Sequence, residues 1–177
     1  MPSNVELKAR ARDFARQHAL ARALAGGAAA ERIEQLDVFF RCPQGRLKLR
    51  YLAADRGELI YYERADDAGP SLSRYVIAPT GAPSELECAL TMAYGVAGRV
   101  KKTRHLYLAG QTRIHLDEVE GLGQFLELEV VLGEGQGAGD GEAVATSIAS
   151  ALGIAPEDRV DVAYVDLLAA RAPGAQK

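Results

Sequence analysis

The sequence predicts an α+β fold in which about eight short antiparallel strands form a barrel or a sandwich with helices packed on it. Three observations predict this. Runs of strand length with period-2 alternation recur along the chain, glycine-bearing turns separate them at hairpin spacing, and a few alanine-rich segments show helical spacing. With 177 residues, 48% of them apolar, the chain can bury one sizeable core. No repeat or change of composition divides it, so one domain over residues 1–170 is expected, followed by a short tail, 171–177.

The elements follow in order. Val5, Leu7, Ala9 and Ala11 alternate with Glu6, Lys8, Arg10 and Arg12, which is a strand. Asp13 can cap a helix through Phe14, Leu20 and Leu24 that Gly26-Gly27 ends. Leu36–Cys42, the turn Pro43-Gln44-Gly45 and Arg46–Leu52 make a hairpin. Leu59–Arg64 and Ser73–Ala78 read as a second pair, joined by the turn-rich stretch Asp66-Asp67-Ala68-Gly69-Pro70. Ser84 with Glu87 reads as a capping box opening a helix to about Tyr94. Strands Val100–Leu108, Thr112–Val119 and Phe125–Leu132 follow, with turns at Gly110-Gln111 and Gly121-Leu122-Gly123. After the glycine-rich stretch Gly133–Gly141, helices are expected over about Glu142–Leu152 and Val160–Ala170.

Charge is unevenly spread. Residues 1–104 hold 17 Lys+Arg against 12 Asp+Glu, and residues 105–177 hold 4 against 12, for a net charge of −3. A basic half suits anionic ligands, and an acidic half can supply metal ligands or a solvated surface. In strand after strand one face is ionisable and the other apolar. A sheet with one wet outer face has this pattern, and so does a barrel with a charged lumen and helices over its apolar outside; periodicity does not choose between them. No apolar run approaches the ~20 residues of a membrane helix. The N-terminus lacks a basic-then-apolar signal pattern, and two cysteines without a CxxC suit a cytoplasmic protein with reduced thiols.

Three groups of residues can carry chemistry. Glu127 and Glu129 lie two apart on an otherwise apolar strand, so both carboxylates point one way, about 7 Å apart, and repel unless a cation is near. Mg²⁺ or Mn²⁺ suits such oxygen ligands, with Asp117 and Glu6 on other strands to complete the set; solvent-facing glutamates would show the same spacing. The second group is basic: Lys8, Arg10, Lys48, Arg50, Arg64, Lys102, Arg104 and Arg113, spread over several strands. Polyphosphate recognition needs many such donors, since each phosphate oxygen is best met by a charged one. A nucleic-acid groove is disfavoured because no aromatics interleave with these cations and the whole chain is acidic. Glu6-Leu7-Lys8 forms the third, a carboxylate and an ammonium on one face of the first strand. His115 shares a face with Arg113 and Asp117 and is placed to touch a substrate. The Gly133–Gly137 run lacks the lysine and hydroxyl of a phosphate loop, and His18, His105 and His115 have no zinc-like spacing with the cysteines.

Assembled, these residues resemble the CYTH superfamily, or triphosphate tunnel metalloenzymes, which includes class IV adenylate cyclases, thiamine triphosphatases and inorganic triphosphatases. The resemblance runs from Val5-Glu6-Leu7-Lys8-Ala9-Arg10 to Ala163–Leu168. It is most specific in the order Asp117, Gly121-Leu122-Gly123, Glu127-Leu128-Glu129; Gly45–Arg50 and Leu59–Arg64 are also similar. One position departs: the family's ExExK reads Asn4-Val5-Glu6-Leu7-Lys8, a neutral oxygen in place of a charge. The resemblance implies an eight-stranded antiparallel tunnel with charges inward. In it the cations would hold a triphosphate while Glu6, Asp117, Glu127 and Glu129 hold Mg²⁺ or Mn²⁺. With Lys8, those four are the implied catalytic residues. Attack by water would make the chain a triphosphatase on tripolyphosphate or an organic triphosphate. Attack by a ribose hydroxyl would make it an adenylate cyclase, and loss of the metal site would leave a polyphosphate- or nucleotide-binding module.

Overall fold

The strand pattern closes on itself. The computed structural model describes residues 3–64 and 70–171, apart from the side chain of Arg64. Within it are β1 (Ser3–Arg10), α1 (Phe14–Leu24), β2 (Glu31–Phe40), β3 (Arg46–Ala53), β4 (Arg56–Arg64) and β5 (Ser71–Thr80). Then come α2 (Pro83–Tyr94), β6 (Val96–Ala109), β7 (Thr112–Val119), β8 (Gly123–Val131), α3 (Ala138–Ala151) and α4 (Tyr164–Arg171). The strands form one closed antiparallel barrel in the order β1-β5-β4-β3-β2-β6-β7-β8, with β8 pairing back to β1. The α+β barrel expected from the sequence is the observed fold.

The apolar set faces outward, under helices. Leu7, Ile114, Leu116, Leu126 and Leu128 pack with Ala21 of α1, with Ala149 of α3 and with Leu152, which caps α3, all at most 1% exposed. Burying such side chains stabilises the fold by about 2 kcal/mol each. On the other flank Val38, Phe40 and Leu49 lie beneath Leu86 and Leu90 of α2. The alternate positions are thereby forced into the lumen, and that is where the charges go.

At one end, Ala163, Tyr164 and Val165 at the start of α4 pack on Phe39, Val100, Val119 and Phe125, making an apolar floor. Close approach there requires a glycine: a Cβ on Gly98 would lie 2.6 Å from Val165 Cγ2.

Several boundaries differ from expectation. β2 and β6 begin five and four residues earlier than their alternation suggests, at Glu31 and Val96, because each continues its ladder along the other. The expected Ser84 capping box does not form. Pro83 takes the first helical position, Ala82 precedes it without a side-chain cap, and Glu87 instead pairs with Arg99 and accepts from Tyr51 at 2.5 Å. The glycine-rich stretch is not all linker. α3 starts at Ala138, its first turn held by the Gly137 amide donating to Asp140 at 2.8 Å, and Gly141 fits where a Cβ would meet Val5 and Leu132. Residues 160–163 are not helical: the Val160 amide donates to the Lys8 carbonyl, tying this segment to β1. Most of the expected 66–70 turn, and the tail beyond Arg171, lie outside the described residues.

Candidate active site

The lumen holds a cavity of about 170 Å³. Lys8, Lys48, Arg50, Lys102, Arg104 and Arg113 line it, together with the carboxylates Glu6, Asp37, Glu127 and Glu129. Strand alternation brings them together from β1, β2, β3, β6, β7 and β8. Among the described residues, six cations against four carboxylates leave the cavity wall with a positive excess, suited to a polyanion.

Glu127 and Glu129 form the acidic side. On the flanking strands Lys8 and His115 lie in register with Glu127, and Glu6 and Arg113 with Glu129. Arg104 donates to Glu127 at 2.6 Å, and Arg113 reaches Glu129 at 3.4 Å. Burial works to raise both carboxyls. For Glu127, His115 and the cations Arg104, Lys8 and Lys102 outweigh it and hold the group well below the usual carboxylate range. For Glu129 the opposing groups are His115, Arg104 and Arg113, and they also bring it down. Nδ1 of the buried His115 lies 3.7 Å from Glu129 and 3.9 Å from Glu127 and makes no hydrogen bond. One ligand atom from each of His115, Glu127 and Glu129 lies within 4.8 Å of the others, close enough to share one cation. An imidazole nitrogen with two carboxylates suits Mn²⁺ better than the strictly oxygen-seeking Mg²⁺.

The cationic side is organised around two aspartates. Asp37 accepts from Arg50 at 2.8 and 3.0 Å and from Lys48 at 2.9 Å. Burial opposes its ionisation, but the two cations keep it far below the normal range. Asp117 accepts from Arg104 at 2.8 and 2.7 Å, from Lys102 at 3.0 Å and from the Tyr164 hydroxyl at 3.2 Å. Again burial opposes ionisation and Arg104 and Lys102 enforce it. Lys8 and Lys102 sit over the Tyr164 ring, 4.4 and 5.0 Å from its centroid. Burial and the nearby Asp117 and Glu127 push the Tyr164 hydroxyl well above its ordinary value, so it acts as a donor.

This fold has counterparts in known proteins. The CYTH domain family matches residues 3–164. The chain belongs to the CYTH family. Members are typically enzymes, triphosphatases or adenylate cyclase-like proteins. The CYTH chain is similar to PH1012 of Pyrococcus horikoshii, at 26% identity over 93% of this chain and 98% of that one, with a TM-score of 0.80. Two further CYTH-like structures share the fold. A candidate adenylate cyclase of Vibrio parahaemolyticus has 21% identity over 94% and 97% of the two chains and a TM-score of 0.70. HpAC1 of Hippeastrum, an adenylyl cyclase candidate described as having a dominant triphosphatase activity, has 14% identity over 96% of each chain and a TM-score of 0.66. No curated protein matches the CYTH chain.

Not every residue singled out in the CYTH sequence reaches the cavity. Arg10 is exposed, its guanidinium 5.1 Å from the Phe125 ring centroid at the floor end. Arg64 lies on β4, but its side chain is outside the described residues. Asp117 is fully buried behind the cavity wall, its oxygens taken up by Lys102, Arg104 and Tyr164, and it is not part of the three-residue cluster. Sequence reasoning missed Asp37 and Tyr164, and it placed His115 near a substrate without the ligand position that it shares with Glu127 and Glu129. For Asp37 a signal existed: it is the one charged residue in Leu36–Phe40, on the face opposite Leu36, Val38 and Phe40. Tyr164 offered none, since only the fold carries the start of α4 into the barrel.

Proposed function

We propose that this CYTH protein is a divalent-metal-dependent triphosphatase that hydrolyses tripolyphosphate or an organic or nucleoside triphosphate in its lumen. One observation carries the reading: a buried His115 Nδ1 that lacks a hydrogen-bond partner and lies 3.7 and 3.9 Å from Glu129 and Glu127, facing a belt of cations inside a closed barrel. In an eight-stranded ring β8 and β3 stand opposite each other, so a phosphate chain can span from the acidic pair to Lys48 and Arg50. His115, Glu127 and Glu129 would hold Mn²⁺ or Mg²⁺, with Glu6 on the adjoining strand beside them and Asp117 serving as counter-ion to Lys102 and Arg104. When bound, the metal withdraws charge from phosphoryl oxygens and makes an attacking oxygen more acidic.

The chain's own groups do the rest. Lys48, Arg50 and Lys8 take up phosphate oxygens, and Arg113, 45% exposed, guides the polyanion inward. The floor formed by α4 shuts bulk water out of the inner end, strengthening each charge contact. Two free thiols, Cys42 and Cys88, support a cytoplasmic setting.

A second reading, ATP cyclisation, draws on a different observation. Ile60, Tyr62, Tyr75 and Ile77 on β4 and β5 give the cavity an apolar and aromatic flank that a base could use. The test separates the two. Purified protein is incubated with Mg²⁺ or Mn²⁺ and either tripolyphosphate or ATP, and phosphate and cyclic AMP are followed separately. Phosphate release is expected. Cyclic AMP would favour the second reading, and neither product with either metal would leave a binding module.

A further inference from the structure

Among the described residues, the lumen contains the same small device twice. On β3, Lys48 and Arg50 are separated by one residue, and on β6 so are Lys102 and Arg104. Each arginine stands in register with an aspartate on a neighbouring antiparallel strand, Arg50 with Asp37 and Arg104 with Asp117. The atoms match as well. In each case arginine Nε donates to Oδ1, while arginine Nη2 and lysine Nζ share Oδ2, with all six distances between 2.7 and 3.0 Å. Because β2 and β6 pair directly, the two devices are contiguous along β3-β2-β6-β7.

They differ in access. Lys102 and Arg104 retain 4% and 6% side-chain exposure, with Asp117 sealed by Tyr164 and Arg104 committed to Glu127. Lys48 and Arg50 retain 14% and 16%, and Asp37 itself lines the cavity. Both devices border the cavity, and the first is the more open to a ligand.

We propose that Asp37 is a positioning residue that holds Lys48 and Arg50 together in the lumen, aimed at neighbouring oxygens of one phosphate chain. Long cationic side chains lose much rotamer freedom on meeting a ligand, and a buried carboxylate gripping both lets them lose it during folding instead. Asp37 repels the phosphate as a charge, so its presence works against affinity unless placement matters more. The two effects predict opposite outcomes when the charge is removed at constant shape.

This inference rests on the triphosphate reading, and the experiment keeps the two apart. Binding of tripolyphosphate to the whole chain is measured by calorimetry without metal, over a salt series, and KM and kcat are measured with Mn²⁺. Asp37→Asn is expected to weaken binding and raise KM about tenfold while kcat stays within about threefold. Unchanged or tighter binding by Asp37→Asn overturns the proposal, since charge alone then governs the site. Asp37→Glu, which keeps the charge but moves the carboxylate, is expected to raise KM severalfold with the salt slope preserved; a KM within twofold of the parent also overturns it. Should Asp37→Asn not fold, the glutamate variant decides. If the parent protein neither binds nor hydrolyses tripolyphosphate or ATP, the triphosphate reading fails and takes this inference with it. A working parent with indifferent Asp37 variants removes this inference alone.

Discussion

Burial and the neighbouring Arg50 and Lys102 push the Lys48 ammonium down to about 8, although Asp37 pulls it back up. An unfolded lysine titrates near 10.4. Between about pH 8 and 10 the unfolded chain therefore keeps a proton that folded Lys48 has released, so rising pH favours the folded state through this group. Ligand binding responds in the opposite sense, because the neutral amine no longer attracts phosphate. Metal-free tripolyphosphate affinity should fall as pH rises through about 8 and should stay flatter in Lys48→Arg; identical profiles for the two proteins would refute this. At the acidic pair, Glu127→Gln or Glu129→Gln should lower turnover by about a hundredfold or more while circular dichroism stays native. Arg104 keeps both oxygens of Asp117 when Glu127 loses its charge, so no buried cation is orphaned. Of the residues themselves, Glu127, Glu129, Lys48 and Arg50 were legible because period-2 spacing fixes which side chains share a face. Asp37 stood out less, as a lone acid 11 residues from its lysine partner.

At the scale of an element, α4 bears on both stability and the site. Tyr164 packs on Phe125 with ring centroids 5.0 Å apart and donates to Asp117, so Tyr164→Ala should cost about 3–5 kcal/mol in urea unfolding. Tyr164→Phe loses only the hydroxyl and should cost about 1 kcal/mol. Gly98→Ala would press a methyl against Val165 and should cost about 1–3 kcal/mol, with Val165→Ala restoring most of it in the double variant. Full additivity of those two changes would show that the helix does not rest on this contact. The helix boundaries were the least legible part of the sequence. Apolar residues continue from Val160 through Ala170, so composition does not mark where the chain stops entering the barrel and begins to coil. The hydrogen bond from Val160 to Lys8, a contact 152 positions away, decides it.

For the whole molecule, the charged interior sets the response to salt and to chelators. Polyanion binding should weaken as ionic strength rises, less steeply than at an exposed patch because the lumen screens poorly. Chelation should abolish hydrolysis yet leave metal-free tripolyphosphate binding and the thermal midpoint nearly intact. Glu127 and Glu129 already lie beside Arg104 and Arg113, so removing a metal does not leave them uncompensated. A collapse of the midpoint on adding chelator would contradict this charge pairing.

The sequence by itself determined which residues alternate, where β1, α1, β3 and β7 run, and that Glu127 and Glu129 share a direction. These follow from spacing along one chain segment, a local property. Alternation left open whether the ionisable face turns inward and whether β8 meets β1; the resemblance implied both and the tertiary structure decided them. The tertiary structure alone decided that Asp37 and Asp117 each collect a lysine and an arginine. Those outcomes depend on ring closure. A strand has two faces and no preference of its own, until helices bury one of them and the last strand finds the first.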